Sequence, residues 1–201
     1  MEEKRDIEKL SRKEKEYLFR RREILDAALK LFAARGYAGT SMQEIATASE
    51  FSIGTLYNFF STKEELYLTL LEEKFIESRD YIEQKTADAN GGLERIHAAV
   101  EATLEFMDKN REFFTLFLAL QSTPDMAVHK GVHEKMMVYY DKHLNFINGI
   151  MEQCIKEKLF RNFEPAHLGQ TLIGIINAWI YNWLQGPGDA PLQGQHELII
   201  D

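Results

Sequence analysis

Three short helical stretches followed by a long one, within residues 24–71, limit the fold of this chain more than any other feature. The first stretch should end at Gly36, because glycine accepts the left-handed conformation of a helix cap. Two overlapping capping boxes precede the second stretch, Thr40 with Gln43 and Ser41 with Glu44. Helices of so few residues are marginal alone, so we expect them to pack together as one small domain.

The third stretch, predicted over residues 53–60, follows a tight break at Ser49-Glu50-Phe51 and is capped by Ser52. A break of about three residues between two short helices is the spacing of a helix-turn-helix, whose second helix enters the major groove of DNA. Glu50 at the bend must then adopt a left-handed conformation, which is uncommon for a residue other than glycine.

Nearly all of the remaining chain also predicts helix, with a long helix starting after Ser61-Thr62 and further helices over residues 93–109, 111–121, 126–158 and 165–184. We expect an all-α fold with an N-terminal three-helix helix-turn-helix DNA-binding domain and a C-terminal helical bundle for ligand binding and dimerisation. The expected domains are a charged extension (1–17), the DNA-binding domain (18–66) and the ligand-binding and dimerisation domain (67–201).

A net charge of −8 disfavours DNA binding, which needs lysine and arginine to contact the phosphates. The distribution of charge removes the conflict. Between Lys9 and Lys63 there are ten basic and six acidic residues, a net +4, whereas from Tyr67 onward there are 12 basic and 20 acidic residues, a net −8. A mildly basic module therefore precedes an acidic body that would repel a wrongly docked duplex.

Several classes of protein are disfavoured by the sequence. A single cysteine, Cys154, excludes an intramolecular disulfide, and the charged residues 1–8 do not predict a signal peptide. We find no apolar run long enough to cross a bilayer, no nucleophile–base set and no phosphate-binding glycine loop. We therefore expect a cytoplasmic protein that has no cofactor, makes no contact with a membrane and is not an enzyme.

Within residues 24–71 the sequence resembles the tetracycline-repressor (TetR) family of regulators. The resemblance is carried by Leu31-Phe32, Gly36-Tyr37, Thr40-Ser41-Met42, Ile45-Ala46, Ser52-Ile53-Gly54-Thr55-Leu56-Tyr57-Asn58-Phe59-Phe60 and Lys63-Glu64-Glu65-Leu66. It departs from the family at Ser49-Glu50-Phe51-Ser52, where relatives usually have Ala-Gly-Val-Ser. The resemblance implies a homodimeric transcription regulator, a repressor released from a palindromic double-stranded DNA operator by a small-molecule inducer. It also implies one more helix after Asp201.

By position in the family motif, the resemblance implies phosphate contacts for the Tyr57 hydroxyl and for Lys63, and contacts to base edges for a second group of residues. The expected DNA-binding residues are Thr40, Ser41, Gln43, Ser52, Ile53, Gly54, Thr55, Tyr57, Asn58, Phe59 and Lys63. Gln43 could pair bidentately with adenine, and Ile53 could contact a thymine methyl. Packing in the core is the alternative for Tyr57 and the favoured alternative for Phe59.

In the C-terminal half, aromatic and methionine residues on helical spacing predict either a core or, as in the family, a cavity for a hydrophobic or aromatic inducer. The pocket candidates are Phe106, Phe113, Phe117, Gln121, Met136, Tyr140, His143 and Asn177. An aromatic-rich face predicts the dimer interface, formed by Ile173, Ile176, Trp179, Ile180 and Trp183. A regulator that answers to a protein partner instead of a ligand remains the alternative.

Two patterns suggest metal binding. Glu94 with His97 and Glu164 with His167 have the Glu-x-x-His spacing of di-iron bundles, but Pro165 makes Glu164 a helix cap that cannot point into a bundle. His129 and His133 share one helical face, yet no third ligand stands at a convincing spacing. We therefore expect no metal site.

Overall fold

The computed structural model describes residues 10–122, 126–186 and 192, and within these ranges the side chains of residues 118–133, 135 and 136 are outside the description. Over the described residues the chain forms helices and no strands, which confirms the all-α prediction. The helices are α1 (Arg12–Arg35), α2 (Met42–Ala48), α3 (Ile53–Phe59), α4 (Lys63–Thr86), α5 (Gly92–Lys109), α6 (Arg111–Ser122), α7 (Met126–Lys156) and α8 (Pro165–Gln185). The chain divides into two compact units between Leu70 and Leu71.

Helix α1 begins earlier than the apolar pattern required. Ser11 is its N-cap, and Ser11 and Glu14 form a capping box, so residues 12–17 of the predicted charged extension are helical. The helix ends as predicted at Arg35, and Gly36 follows with a φ of 71°. That positive φ is accessible to glycine at little cost, which explains the residue at this position.

The first unit is a small helical core. Ile24, Ala28 and Phe32 of α1 are buried against Ile45 and Ala46 of α2 and Leu56 of α3, all at most 1% exposed. The ring of Phe32 meets Tyr67 at the start of α4 edge-on, with centroids 5.0 Å apart. These contacts bury the apolar faces that helices of seven residues cannot bury alone, and they fix the crossing of α2 and α3.

The second unit comprises the rest of α4 and helices α5 to α8. Helix α7 packs mainly along α8, and α5 packs against α7. Gly92, at the start of α5, allows a close approach, since a Cβ at this position would lie 2.5 Å from Cys154 Sγ. The Gly92 amide donates to Glu157 Oε2 at 2.8 Å, so the start of α5 is bonded to the end of α7.

No helix in the described ranges has the length and apolar content needed to cross a membrane.

Candidate DNA-binding surface and ligand cavity

Helix α3 has one exposed face and is held to the core by one buried residue, Leu56. Ser52 caps it as predicted, accepting from the Thr55 amide at 3.1 Å. Leu56 is fully buried, whereas Tyr57 is 51% exposed and Gly54 and Asn58 are exposed as well. Because residues three and four apart share a helical face, burial of Leu56 directs Gly54, Tyr57 and Asn58 outward.

The turn before α3 has the strained geometry that the sequence predicted. Glu50 has a φ of 60°, which confirms the left-handed conformation expected for this residue. The turn is held by the Phe51 amide, which donates to Ala46 O at 2.9 Å, and by the Ser49 hydroxyl, which donates to Ile45 O at 2.8 Å. Buried polar groups are thus paired across the bend, and this stabilises the conformation of Glu50.

Helix α2 has one of the two predicted capping boxes. Ser41 accepts from the Glu44 amide, and its own amide donates to Glu44 Oε2 at 2.9 Å. These hydrogen bonds from Ser41, side chain first and backbone second, hold the pKa of Glu44 below its ordinary value. Glu44 also pairs with Arg35 at 2.8 Å. The Gln43 side chain is exposed and takes no part in the capping box.

The expectations for the Thr40 side chain were wrong. Thr40 is 2% exposed and its hydroxyl donates to Gly36 O at 2.9 Å, so this hydroxyl neither caps α2 nor reaches a phosphate. Its position is explained by the carbonyl that Gly36 leaves at the end of α1, which needs a partner when it is buried.

Lys63, at the start of α4, binds the loop between α1 and α2. Its Nζ donates to Tyr37 O and to Thr40 O, both at 2.8 Å, and lies 4.3 Å from the centroid of the Tyr37 ring. An ammonium group has three donors, so one remains for another partner. The lysine therefore ties α4 to the loop, a role that spacing alone did not predict.

An open groove of about 570 Å³ runs between α2, α3 and the start of α4. It is lined by Ala38, Gly39, Thr40, Ser41, Met42, Gln43, Glu44, Ile53, Tyr57 and Lys63. Six of the predicted DNA-binding residues therefore meet at one surface, whereas Ser52, Gly54, Thr55, Asn58 and Phe59 do not line it. Ala38, Gly39, Met42 and Glu44 were not predicted, although they flank predicted residues in sequence.

Phe59 is half-buried and contacts α1. Its ring stacks on Tyr17 of α1 with centroids 4.8 Å apart and an interplanar angle of 29°. The stacked pair lies on the side of α3 that is turned away from Tyr57 by the helical period. The family motif did not predict this contact, because Tyr17 precedes the residues that carry the resemblance.

The second unit contains a cavity of about 430 Å³ with a mainly apolar lining. Four predicted pocket residues line it: Phe117, Tyr140, His143 and Asn177. Phe106 and Phe113 are instead buried in the core, 3% and 0% exposed, because they pack on Phe114 and on Phe75. The side chains of Gln121 and Met136 lie outside the described residues.

Sequence reasoning missed the part of the cavity that α4 contributes. Phe75, Ser78, Arg79 and Ile82 all line it, at positions i, i+3, i+4 and i+7 of one helical face. The same spacing is present in the sequence, but the polar Ser78 and the charged Arg79 interrupt the apolar pattern. This face of α4 was therefore not predicted to line a cavity. Thr103, Met107, Phe114 and Tyr139 complete much of the opposite wall.

The polar groups of the cavity differ in charge. Burial lowers the pKa of His143, so its imidazole is neutral near pH 7. Burial first, and then its hydrogen bond to Glu72, raise the pKa of Tyr139 to about 12, which keeps the phenol protonated. Arg79 is paired with Asp80 at 2.6 Å and with Glu83 at 3.6 Å. The lining therefore offers a ligand neutral hydrogen-bond donors and one cation, Arg79, whose charge is balanced by neighbouring carboxylates.

The predicted dimer face needs correction. Ile173, Ile176 and Ile180 are 6%, 6% and 3% exposed and line the cavity, so they do not form a free surface. Trp179 and Trp183 are half-buried, and the Arg111 guanidinium lies 4.3 Å from the Trp183 ring centroid. Helical spacing predicted a shared face correctly, but it could not tell whether the partner of that face was another helix of the same chain.

The described residues include no group of three or more histidine, cysteine, aspartate or glutamate side chains arranged to hold a metal ion. Glu164 is the N-cap of α8, as Pro165 predicted, which removes it from the interior. The His129 and His133 side chains are outside the description.

Comparison with known proteins extends over both units. Residues 24–70 match the tetR family of bacterial regulatory proteins. Over 164 residues the chain is 27% identical to the uncharacterised HTH-type transcriptional regulator YhgD of Bacillus subtilis, covering 82% of this chain and 84% of that protein. It is 23% identical over 164 residues to IcaR of Staphylococcus epidermidis, a negative transcriptional regulator of the biofilm operon icaADBC, with 80% of each chain covered.

A solved structure is also similar. The transcriptional regulator FadR from Bacillus subtilis, crystallised in complex with stearoyl-CoA, matches with a TM-score of 0.77 at 19% identity. The match covers 89% of this chain and 94% of that one. At this identity the likeness concerns the fold.

Proposed function

We propose that this transcriptional regulator of the TetR family acts in the cytoplasm as a homodimeric repressor. It releases a palindromic operator when an apolar small molecule binds. The groove between α2, α3 and α4 is the observation that carries the proposal. It combines exposed Gln43 and Tyr57 with Ile53 and Lys63 at one surface of the basic unit. A hydrogen-bonding amide, an apolar side chain, a phenol and a cation suit bases and phosphates together.

In this proposal α3 lies in the major groove, and its neighbours contact the sugar-phosphate backbone. Ile53, Gly54 and Asn58 face the bases, and Tyr57 and the remaining Lys63 donor meet phosphates. Gln43 reads a base from α2. The capping hydroxyls of Ser41 and Ser52 are already bonded to Glu44 and Thr55, so we assign these serines to positioning the helices. Phe59 and the Thr40 hydroxyl are left out of the surface.

Selection of bound duplexes from a random DNA pool tests this assignment. We expect a palindromic consensus whose half-sites are centred about 34 Å apart, since a two-fold dimer places its two recognition helices in successive major grooves. Tyr57→Phe, which removes only the hydroxyl, should weaken binding to every selected sequence equally. Leu93→Ala, on exposed α5 surface, serves as the control. A pool that shows no enrichment would refute DNA recognition by this chain.

The inducer part of the proposal rests on the cavity in the second unit. Its walls of phenylalanine and isoleucine suit an apolar chain or ring, and neutral His143 and Asn177 can orient a polar end. A mainly apolar cavity of about 430 Å³ that includes the polar His143 and Asn177 favours a ligand over the alternative of a protein partner acting on a filled core. Because FadR of Bacillus subtilis was crystallised with stearoyl-CoA, we propose long-chain acyl compounds as the first class to test.

Ligand response can be separated from DNA binding by filling the cavity. Ile176 lines it and is 6% exposed, so Ile176→Trp should occupy the space of a ligand. We expect this variant to bind the selected operator and to lose release by stearoyl-CoA, with Leu93→Trp as the control on exposed surface. Release of the operator from Ile176→Trp at wild-type ligand concentrations would contradict the assignment of the cavity. A ligand shifts the equilibrium only if it prefers the form that does not bind DNA.

We place the dimer interface on the face of α8 turned away from the cavity. That face carries Thr171, Ile175 and Asn182, which are all exposed, and Ile175 is 41% exposed. Ile175 supplies apolar area at the centre of this face. Ile175→Arg should give a monomer in sedimentation experiments and abolish operator binding, whereas Leu93→Arg should not. A dimeric Ile175→Arg protein would exclude this face.

A further inference from the structure

The first three turns of α1 form a basic segment (residues 12–23) that precedes both the family match and the buried core. The first buried residue of α1 is Ile24, where the family match also starts. The basic segment has six lysine and arginine residues and three glutamates, a net charge of +3 in a chain whose total is −8. Apart from half-buried Arg21, its residues are exposed. Residues 12–23 themselves bury no core residue, so other contacts hold this part of α1 against the domain.

Aromatic contacts hold the basic segment against the end of α3. The Tyr17 ring stacks on Phe59 with centroids 4.8 Å apart, and the Arg21 guanidinium lies 5.5 Å from the Phe60 ring centroid. Stacked aromatic pairs and cation–π contacts each contribute on the order of 1 kcal/mol. Both contacts reach the last two residues before the loop to α4, so the segment lies beside the C-terminal end of the proposed recognition helix.

The basic side chains of this segment differ in whether an acidic group pairs with them. Glu16 is paired with Arg20, and Glu14 is occupied by the Ser11 cap. Arg12 and Lys13 are exposed and have no hydrogen-bond or ion-pair partner among the described residues. Lys13 stands four residues before Tyr17, which places it on the same face of α1 and one turn beyond the contact with Phe59. These two exposed cations therefore keep their charge available, and Lys13 lies one turn of α1 from the stacked Tyr17.

From this arrangement we propose that the basic segment is a second DNA-binding element, which contacts the phosphate backbone beside the groove that α3 enters. The proposal rests on the function proposed above. Its ligand is the sugar-phosphate backbone of duplex DNA, recognised by charge and not by sequence, with Arg12 and Lys13 as contacts and Tyr17 as a positioning residue. Duplex DNA carries one charge per about 1.7 Å of axis, so cations fixed beside a docked helix meet phosphates.

Salt dependence measures such contacts directly, because each neutralised phosphate contributes about 0.9 to the slope of log Kobs against log salt. The dimer carries two copies of each cation, so we expect the double variant Arg12→Ala/Lys13→Ala to flatten the slope by about 3.6 units on the selected operator. Between 50 and 200 mM salt the wild type should then lose about 150-fold more affinity than the variant. Lys158→Ala/Arg161→Ala makes the same charge change at exposed residues of the second unit and should keep the wild-type slope.

Variants of Tyr17 distinguish a role in positioning the basic segment from a role in folding. Tyr17→Phe keeps the ring and should have the wild-type slope, whereas Tyr17→Ala releases the segment and should flatten the slope while Arg12 and Lys13 are still present. Helix content and thermal midpoint are recorded for each variant, since a general loss of structure would weaken binding without the selective change in slope.

The outcomes are distinguishable. If the wild type selects no duplex, the proposed function and this inference fail together. If the wild type binds its operator and Arg12→Ala/Lys13→Ala has the same slope within half a unit, only the inference fails. In that case exposed Leu18 and Phe19 would point to a protein as the partner of this segment. A loss that is equal in the Lys158→Ala/Arg161→Ala control would also overturn it, because net charge would then explain the effect.

Discussion

Replacing Lys63 by methionine tests whether this residue holds the DNA-binding unit together. Methionine keeps most of the aliphatic length and removes the ammonium group. The change deletes two hydrogen bonds of 2.8 Å to Tyr37 O and Thr40 O and a contact of 4.3 Å with the Tyr37 ring. We expect Lys63→Met to lower the free energy of unfolding of the first unit and to leave that of the second unit unchanged.

The magnitude follows from the environment of the two carbonyls. A hydrogen bond from a charged donor contributes about 1.5–3 kcal/mol, and a cation–π contact about 0.5–1 kcal/mol. The site is only partly buried, so water replaces part of the lost bonding. We therefore expect the free energy of unfolding of the first unit to fall by about 2–4 kcal/mol, less than the sum of the separate contacts.

Native-state hydrogen exchange measures each unit separately. A loss of about 2–4 kcal/mol should speed exchange of the Ile45 and Leu56 amides by roughly thirty- to a thousandfold, at 1.36 kcal/mol per factor of ten. The Ile150 amide in the second unit should be unchanged. Lys30→Met is the control, because Lys30 is exposed and no described residue pairs with it. Equal exchange in Lys63→Met and Lys30→Met would refute the structural role of Lys63.

Three further predictions concern other parts of the chain. Gln43→Ala should relax specificity at one base pair per half-site by about 1–3 kcal/mol, and equal losses on all sequences in binding assays would contradict base reading. Gly92→Ala should destabilise the second unit by about 1–3 kcal/mol in urea unfolding, since its Cβ meets Cys154 Sγ at 2.5 Å; an unchanged midpoint would refute the packing argument. Burial lowers the pKa of His143, so the unfolded chain takes up this proton more readily and stability should fall as pH drops below about 6.5. His143→Asn should flatten that fall, and an identical pH profile would exclude His143 as its source.

Local signals in the sequence predicted most of the first unit. Serines at cap positions, the glycine after α1 and the break at Glu50 each depend on backbone chemistry within a few residues. Ser41 and Ser52 therefore capped their helices as expected, and Glu50 adopted the positive φ that the turn requires. Helix boundaries in the second unit also came within two residues of those observed, because apolar period and proline or glycine positions act locally.

Contacts between residues distant in sequence were decided only by the tertiary structure. The period of α8 identified Ile173, Ile176 and Ile180 as one face, but whether that face meets a second copy or the interior depends on how five helices pack. Lys63 donates to carbonyls about two dozen residues away, and Tyr17 stacks on Phe59 across two helices. Periodicity specifies which side of a helix is apolar, whereas the partner of that side is set by the global packing of all helices.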